Sequence, residues 1–185
     1  AEPDPDPIED ALQSLPGAGS VAVTVHTDTG VAGSGSVGFG RIQGAPDALA
    51  AVIEHELVPV VEGTDPAFVR RTREAMLAET EYHGSVGLAT FGIAALDTAL
   101  WDCIGRARGV LCWQLWGAVR ERIPAYAMVG WLNYDDGEVR EICRTAVEQG
   151  FEAVKIKVGY ETLEEDVARV ETVQDAVGEG VDVMV

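Results

Sequence analysis

After Gly117 the chain alternates, element by element, between two hydrophobic periods, and this alternation limits the possible fold more than any other feature. Residues 123–129 read as a strand and 136–149 as a helix closed by Gly150. A second strand over 151–158, a helix over 162–177 closed by Gly178, and a third strand over 181–185 follow. Thr162 with Glu165 matches a capping box, which fixes the start of the second helix. Strands separated by single helices imply parallel βα units, because antiparallel neighbours need only a short turn. Three such strands open a barrel without closing it.

The preceding residues follow a different grammar. Ala1 to Pro7 is rich in Pro and Asp and reads as an irregular arm. Val21-Ala22-Val23-Thr24-Val25-His26-Thr27 alternates and is β-branched, as a strand should be, and Asp28-Thr29-Gly30 turns it. The glycine-studded residues 31–40 read as the return strand and a loop. Pro46 suits a first helical position, and Leu49, Val52, Ile53, Leu57 and Val60 follow at helical spacing. A second helix begins after Thr64 or Asp65, and a long third one spans 86–108 before Gly109. The chain thus divides into an α+β domain over 1–118 and a βα-alternating domain over 119–185.

Chemistry concentrates in one strand. Lys155 and Lys157 are the only lysines, and every other basic side chain that is not histidine is arginine. In Phe151-Glu152-Ala153-Val154-Lys155-Ile156-Lys157-Val158-Gly159, strand geometry puts Val154, Ile156 and Val158 on one side and Ala153, Lys155 and Lys157 on the other. Two ammonium groups on one inward face repel each other. That repulsion, with partial burial, favours the neutral amine and lowers the lysine pKa, as a general base near neutral pH requires. Solvated lysines on an exposed edge strand are the competing reading, and the avoidance of lysine elsewhere argues against it.

Charge excludes several functions. With 31 acidic against 13 basic residues, a net charge of -18 and a pI near 4.3, neither a nucleic-acid surface nor an anionic membrane partner is expected. A hydrophobic content of 47% with clear periodicity excludes disorder. Acid spread over every expected helix, with Arg in place of Lys, suggests a halophilic surface, adapted to high salt. Cys103, Cys112 and Cys143 lack metal-type spacing and sit in apolar contexts, so free thiols in a reducing compartment are expected. The N-terminus shows no signal-peptide pattern, and no apolar run reads as long enough to span a membrane. A cytoplasmic location is the expectation.

Three short motifs fail on context. Gly33-Ser34-Gly35-Ser36-Val37-Gly38 spells GxGxxG, but a dinucleotide loop needs a helix starting at the glycines, and Pro46 delays the next helix. A hairpin or loop is expected there instead. His55-Glu56 begins a zinc-protease pattern, but Pro59 stands where the second histidine belongs. Asp97 and Asp102 lie on the long apolar helix, where Asp102 can pair with Arg106 one turn on, so both read as anchors. His26 and His83 read as structural or surface residues.

Three segments in order carry a family resemblance. The run Ala94-Ala95-Leu96-Asp97-Thr98-Ala99-Leu100-Trp101-Asp102-Cys103-Ile104-Gly105-Arg106-Ala107, with Leu115-Trp116-Gly117-Ala118 and Ile123-Pro124-Ala125-Tyr126, resembles the junction between capping domain and barrel in the mandelate racemase and muconate-lactonizing branch of the enolase superfamily. Gly150 to Gly159 resembles that branch's KxK strand, the second of its barrel, and Asp182-Val183-Met184-Val185 resembles the third. The departures are Ser36 where the family often has glutamate, Arg106 for a lysine, and Trp116-Gly117-Ala118 for a Leu-Gly-Gly run.

The resemblance implies an α+β capping domain over 1–118 followed, over 119–185, by the first three strands of a TIM-type α/β barrel belonging to a longer protein. It implies removal of the proton α to a substrate carboxylate, with Mg²⁺ stabilising the enediolate and metal ligands beyond Val185. Lys157, nearer the C-terminal mouth, would be the base; Lys155, one layer deeper, would lower its pKa and touch the substrate carboxylate. Trp131 and Asn133, just after the first barrel strand, could reach substrate, with an ordinary loop role as the alternative. Dehydration of a sugar acid is the first expectation, with racemization, epimerization or cycloisomerization as alternatives sharing the first step. The partners implied are a small carboxylate and further copies of the chain. If the chain were complete, a noncatalytic binding or assembly module would be the reading from another class.

Overall fold

The computed structural model describes residues 8–15, 18–40, 44–84 and 86–185, which form two compact units. One covers Gly17–Val119; the other joins Arg120–Val185 to the N-terminal hairpin. That hairpin, β1 (Ile8–Asp10) and β2 (Gln13–Leu15), pairs antiparallel with Ile8 opposite Leu15, a feature the sequence reading did not anticipate. By contacts, residues 8–15 group with the second unit. The arm over 1–7 lies outside the described residues.

The first unit is an antiparallel hairpin against helices. β3 (Ala18–His26) pairs with β4 (Ala32–Gly40), Val21 opposite Val37, so the GxGxxG segment is strand and no helix starts at its glycines. The glycines serve packing. A Cβ on Gly33 would collide with the Ala99 carbonyl and Cys103 amide, and one on Gly35 with the Ala95 carbonyl. Strand backbone therefore lies directly on helix backbone.

α1 (Ala45–Val52) runs through a wide π turn over Ile53–Leu57 into α2 (Val58–Val61), with Pro59, which has no amide to donate, just past the widened turn. Asp65 caps the 3₁₀ turn that leads into α3 (Val69–Glu79), its side chain accepting from Ala67 N at 2.9 Å. α4 (Leu88–Arg108) ends at Gly109, whose φ of 66° is the left-handed terminator expected there. Contrary to the sequence reading, α4 is by length and composition long and apolar enough to cross a membrane. Its Ile93, Leu96, Leu100 and Ile104 instead pack into the unit's core, and Asp102 accepts from Ser34 N at 2.9 Å and from Arg106 Nε at 2.8 Å. Both Asp102 bonds favour the ionised acid, and the Ser34 amide leads in holding it below the ordinary carboxylate range. Asp97 is pushed the other way, chiefly by burial and against the nearby Arg73. A short α5 (Cys112–Leu115) completes the unit.

The second unit has the expected βα order. β5 (Ala127–Met128), α6 (Asp136–Glu148), β6 (Ala153–Lys155), α7 (Leu163–Val177) and β7 (Asp182–Met184) give a parallel sheet in the order β5-β6-β7. Met128 faces Lys155, and Lys155 faces Met184. The strands are shorter than the expected 123–129, 151–158 and 181–185. Ile123 is exposed and Pro124 lacks an amide, which starves the front of the first strand of partners. Both helices begin in capping boxes, Asp135 with Glu138 and Thr162 with Glu165. Val154 and Ile156 are fully buried against Val139, Cys143, Val173 and Val177, each worth roughly 1.5–3 kcal/mol of burial. Cys103, Cys112 and Cys143 are all free thiols.

Candidate active site

The two faces of β6 separate as the alternation requires. Val154 and Ile156 enter the core, while Ala153, Lys155 and Lys157 are half-buried on the opposite face. Lys157 lies just past the assigned strand, yet the ladder continues: Ile156 N donates to Met184 O at 3.0 Å and Lys157 N to Gly130 O at 3.1 Å. The parallel direction puts Lys157 at the C-terminal end of the sheet, with Lys155 one layer below.

The loop after β5 bends over Lys157. Gly130 has φ 73°, and a Cβ there would sit 2.7 Å from Val139 Cγ2 and 3.0 Å from Ile156 Cγ2, so only glycine fits this turn. The turn brings the Trp131 ring to 5.2 Å, centroid to Lys157 Nζ, within cation-π range. Asn133, also expected to meet substrate, bonds to the hairpin: its Oδ1 accepts from Glu9 N at 3.2 Å, and Leu132 N donates to Glu9 O at 3.0 Å.

Those two bonds seat the hairpin on the mouth. Asp10 ends β1 and its Oδ1 accepts from Leu12 N at 2.9 Å and Gln13 N at 3.0 Å. Its Oδ2 faces Lys157 Nζ at 3.9 Å. The Leu12 amide leads in holding the Asp10 carboxyl below its ordinary range, with Gln13 and the Lys157 ammonium adding to it against some desolvation.

Helix α7 holds the mouth from beneath. Arg169 is 3% exposed; its Nη2 donates to Trp131 O at 2.7 Å and its Nη1 to Tyr134 O at 2.9 Å, with Asp136 at 3.6 Å and Nε unpartnered. One turn earlier, Asp166 Oδ1 accepts from Gly159 N at 2.7 Å and Tyr160 N at 3.0 Å. Tyr160 O–H then donates to Leu132 O at 3.0 Å, tying the two loops together. Asp10, Asp166 and Arg169 escaped the sequence reading. The available signal was Arg169, a charge on the same inward stripe as Val173 and Val177.

Among the described residues no three His, Cys, Asp or Glu side chains converge to hold a metal. At the mouth Asp10 is paired to Lys157, and Asp166 accepts two backbone amides. These residues do not fit a magnesium site by themselves.

Comparison with known proteins agrees with the fold. Residues 1–117 match the profile described as mandelate racemase / muconate lactonizing enzyme, N-terminal domain, and residues 138–185 match enolase C-terminal domain-like. An arabinonate dehydratase of Saccharolobus solfataricus is 30% identical over 167 residues, covering 89% of this chain and 44% of the relative. A 3,6-anhydro-alpha-L-galactonate cycloisomerase of Streptomyces coelicolor is 31% identical over 166 residues, covering 89% and 45%. Among solved structures, a Streptomyces coelicolor racemase with bound magnesium superposes with a TM-score of 0.87 at 27% identity, over 98% of this chain and 50% of the other. The chain thus spans about half the length of the relatives it matches.

Proposed function

The chain belongs to the mandelate racemase and muconate lactonizing enzyme family, and from that premise we propose that it carries the base of an enzyme that removes the proton α to a substrate carboxylate. The observation that carries this reading is the lysine pair, alone in the sequence, on one half-buried face at the C-terminal end of a parallel strand. An α-proton beside a carboxylate is weakly acidic, and its removal needs a base held in place and out of bulk water. The neutral amine of Lys157 takes the proton and becomes an ammonium, while the C–H electron pair moves onto the carboxylate as an enediolate. Lys155, one layer below it, meets the substrate carboxylate. The Trp131 ring walls the site.

Sugar-acid dehydration is the reaction we favour, with support from the arabinonate dehydratase; loss of the β-hydroxyl would then follow proton removal. Cycloisomerization, which the second relative supports, begins with the same step. Magnesium, as in the solved racemase, would stabilise the enediolate charge on ligands expected beyond Val185. The excess of carboxylates and the replacement of lysine by arginine support a protein that works at high salt in the cytoplasm.

The test is exchange of the substrate α-proton with deuterated solvent. Lys157→Ala in the intact protein should lose exchange by roughly 10²–10⁴-fold, the usual worth of a general base, with an unchanged circular dichroism spectrum. Retained exchange would move the base elsewhere.

A further inference from the structure

The N-terminal hairpin places a carboxylate where a carboxylate substrate must arrive. Asp10 is not a loose side chain: two turn amides fix one oxygen, and the hairpin is pinned on both sides of Glu9 by the loop after β5. Ala11, at the turn, covers Gly159 so closely that a Cβ on that glycine would collide with it. The second Asp10 oxygen accepts from Gln13 Nε2 at 3.5 Å and faces Lys157 Nζ at 3.9 Å, with the Asp10 side chain 15% exposed and that of Lys157 29% exposed. On the remaining side is the Trp131 ring. A carboxylate and a ring face both attract an ammonium and offer nothing comparable to a neutral amine.

Of the other charged groups around the mouth, Asp166 accepts two amides and Arg169 is spent on two carbonyls and Asp136, while Lys155 lies below on β6 and Glu9 meets the β5 loop through its backbone. Among the described residues Asp10 is the only carboxylate given within 4.0 Å of Lys157.

We propose that Asp10 is a positioning residue for Lys157, an internal counter-ion that occupies the ammonium in the empty site and is displaced by the incoming substrate carboxylate. The proposal rests on Lys157 as the base. Two carboxylates cannot share one ammonium without repelling each other, so substrate entry and departure of Asp10 are one event. The hairpin thereby couples the Asp10–Lys157 pair to occupancy of the site: made when empty, broken when filled.

Asp10→Asn keeps an oxygen for the Leu12 and Gln13 amides and removes only the charge; Asp10→Ser is the second variant, also able to cap the turn. Because kcat/KM reports the free enzyme and kcat the complex, the variant should move the acid limb of kcat/KM to lower pH and leave that of kcat in place. Loss of activity with both limbs fixed would make Asp10 merely structural, and a raised KM with both limbs fixed would make it a substrate contact; either overturns the proposal. A readout independent of catalysis is acylation by acetic anhydride without substrate, followed by peptide mass spectrometry of the intact protein. Asp10→Asn should raise the rate at Lys157 several-fold over that at Lys155. An unchanged ratio overturns the counter-ion role whatever Lys157→Ala does, and a raised ratio beside a fully active Lys157→Ala would remove the base assignment while leaving the ion pair intact.

Discussion

The two units solve the same problem, holding strands against helices, with opposite materials. In the first, the apolar core is joined by contacts of bare backbone: Gly33 and Gly35 of β4 lie on the carbonyls of Ala99 and Ala95, and Asp102 adds a long-range polar tie, to Ser34. In the second, the apolar core under β6 is joined by a polar lattice at the strand ends, where Arg169, Asp166, Tyr160, Asn133 and Asp10 each bond across more than one element or loop. The first arrangement fixes a shape. The second fixes where loops go, which a reactive mouth requires.

The comparison breaks most sharply at Arg169. Arg169→Ala leaves the carbonyls of Trp131 and Tyr134 without a donor and should cost about 3–5 kcal/mol in urea unfolding of the second unit. Arg169→Lys should recover little, since one ammonium cannot reproduce the fork to two carbonyls. In the first unit, Gly35→Val drives a side chain into helix backbone and should cost about 1–3 kcal/mol, read by the same unfolding curve, while leaving Lys157 acylation unchanged. An equal disturbance of Lys157 would mean the two units are not built independently.

The smallest effect belongs to Asp102. Asp102→Ala should destabilise the first unit by about 1 kcal/mol at pH 7, the net worth of a hydrogen bond. Because the folded carboxyl titrates below the unfolded value of 3.8, its contribution is present above that value and lost as pH falls through the folded one. The difference between wild type and variant should therefore close on acidification below about pH 4, as followed by thermal melts.

What could be read in the sequence was what neighbours in the chain decide. α4 with its terminal Gly109, the Thr162 box and the two faces of β6 depend on residues a few positions apart, and all three stand as read. The hairpin of three-residue strands was invisible because so short a stretch carries no period; it exists through the Asp10 turn and through Asn133, which lies 124 residues from Glu9. Arg169 was hidden for another reason. A charge on an amphipathic helix reads as solvated unless something calls for it inside, and what calls for it is a pair of carbonyls 35 and 38 residues away. GxGxxG shows the reverse case, a local pattern whose meaning comes from the helix laid across it.

The π turn in the first long helix has a consequence of phase. Leu49, Ile53 and Leu57 recur every fourth residue, and a regular α-helix of 3.6 residues per turn would rotate each about 40° past the last. The wide turn over Ile53–Leu57 takes that rotation back. All three side chains consequently meet one spot on α4, where a Cβ on Gly92 would lie 2.7 Å from Leu57, 3.1 Å from Ile53 and 3.5 Å from Leu49. The helix thus keeps time with its partner by carrying one surplus residue between 53 and 57.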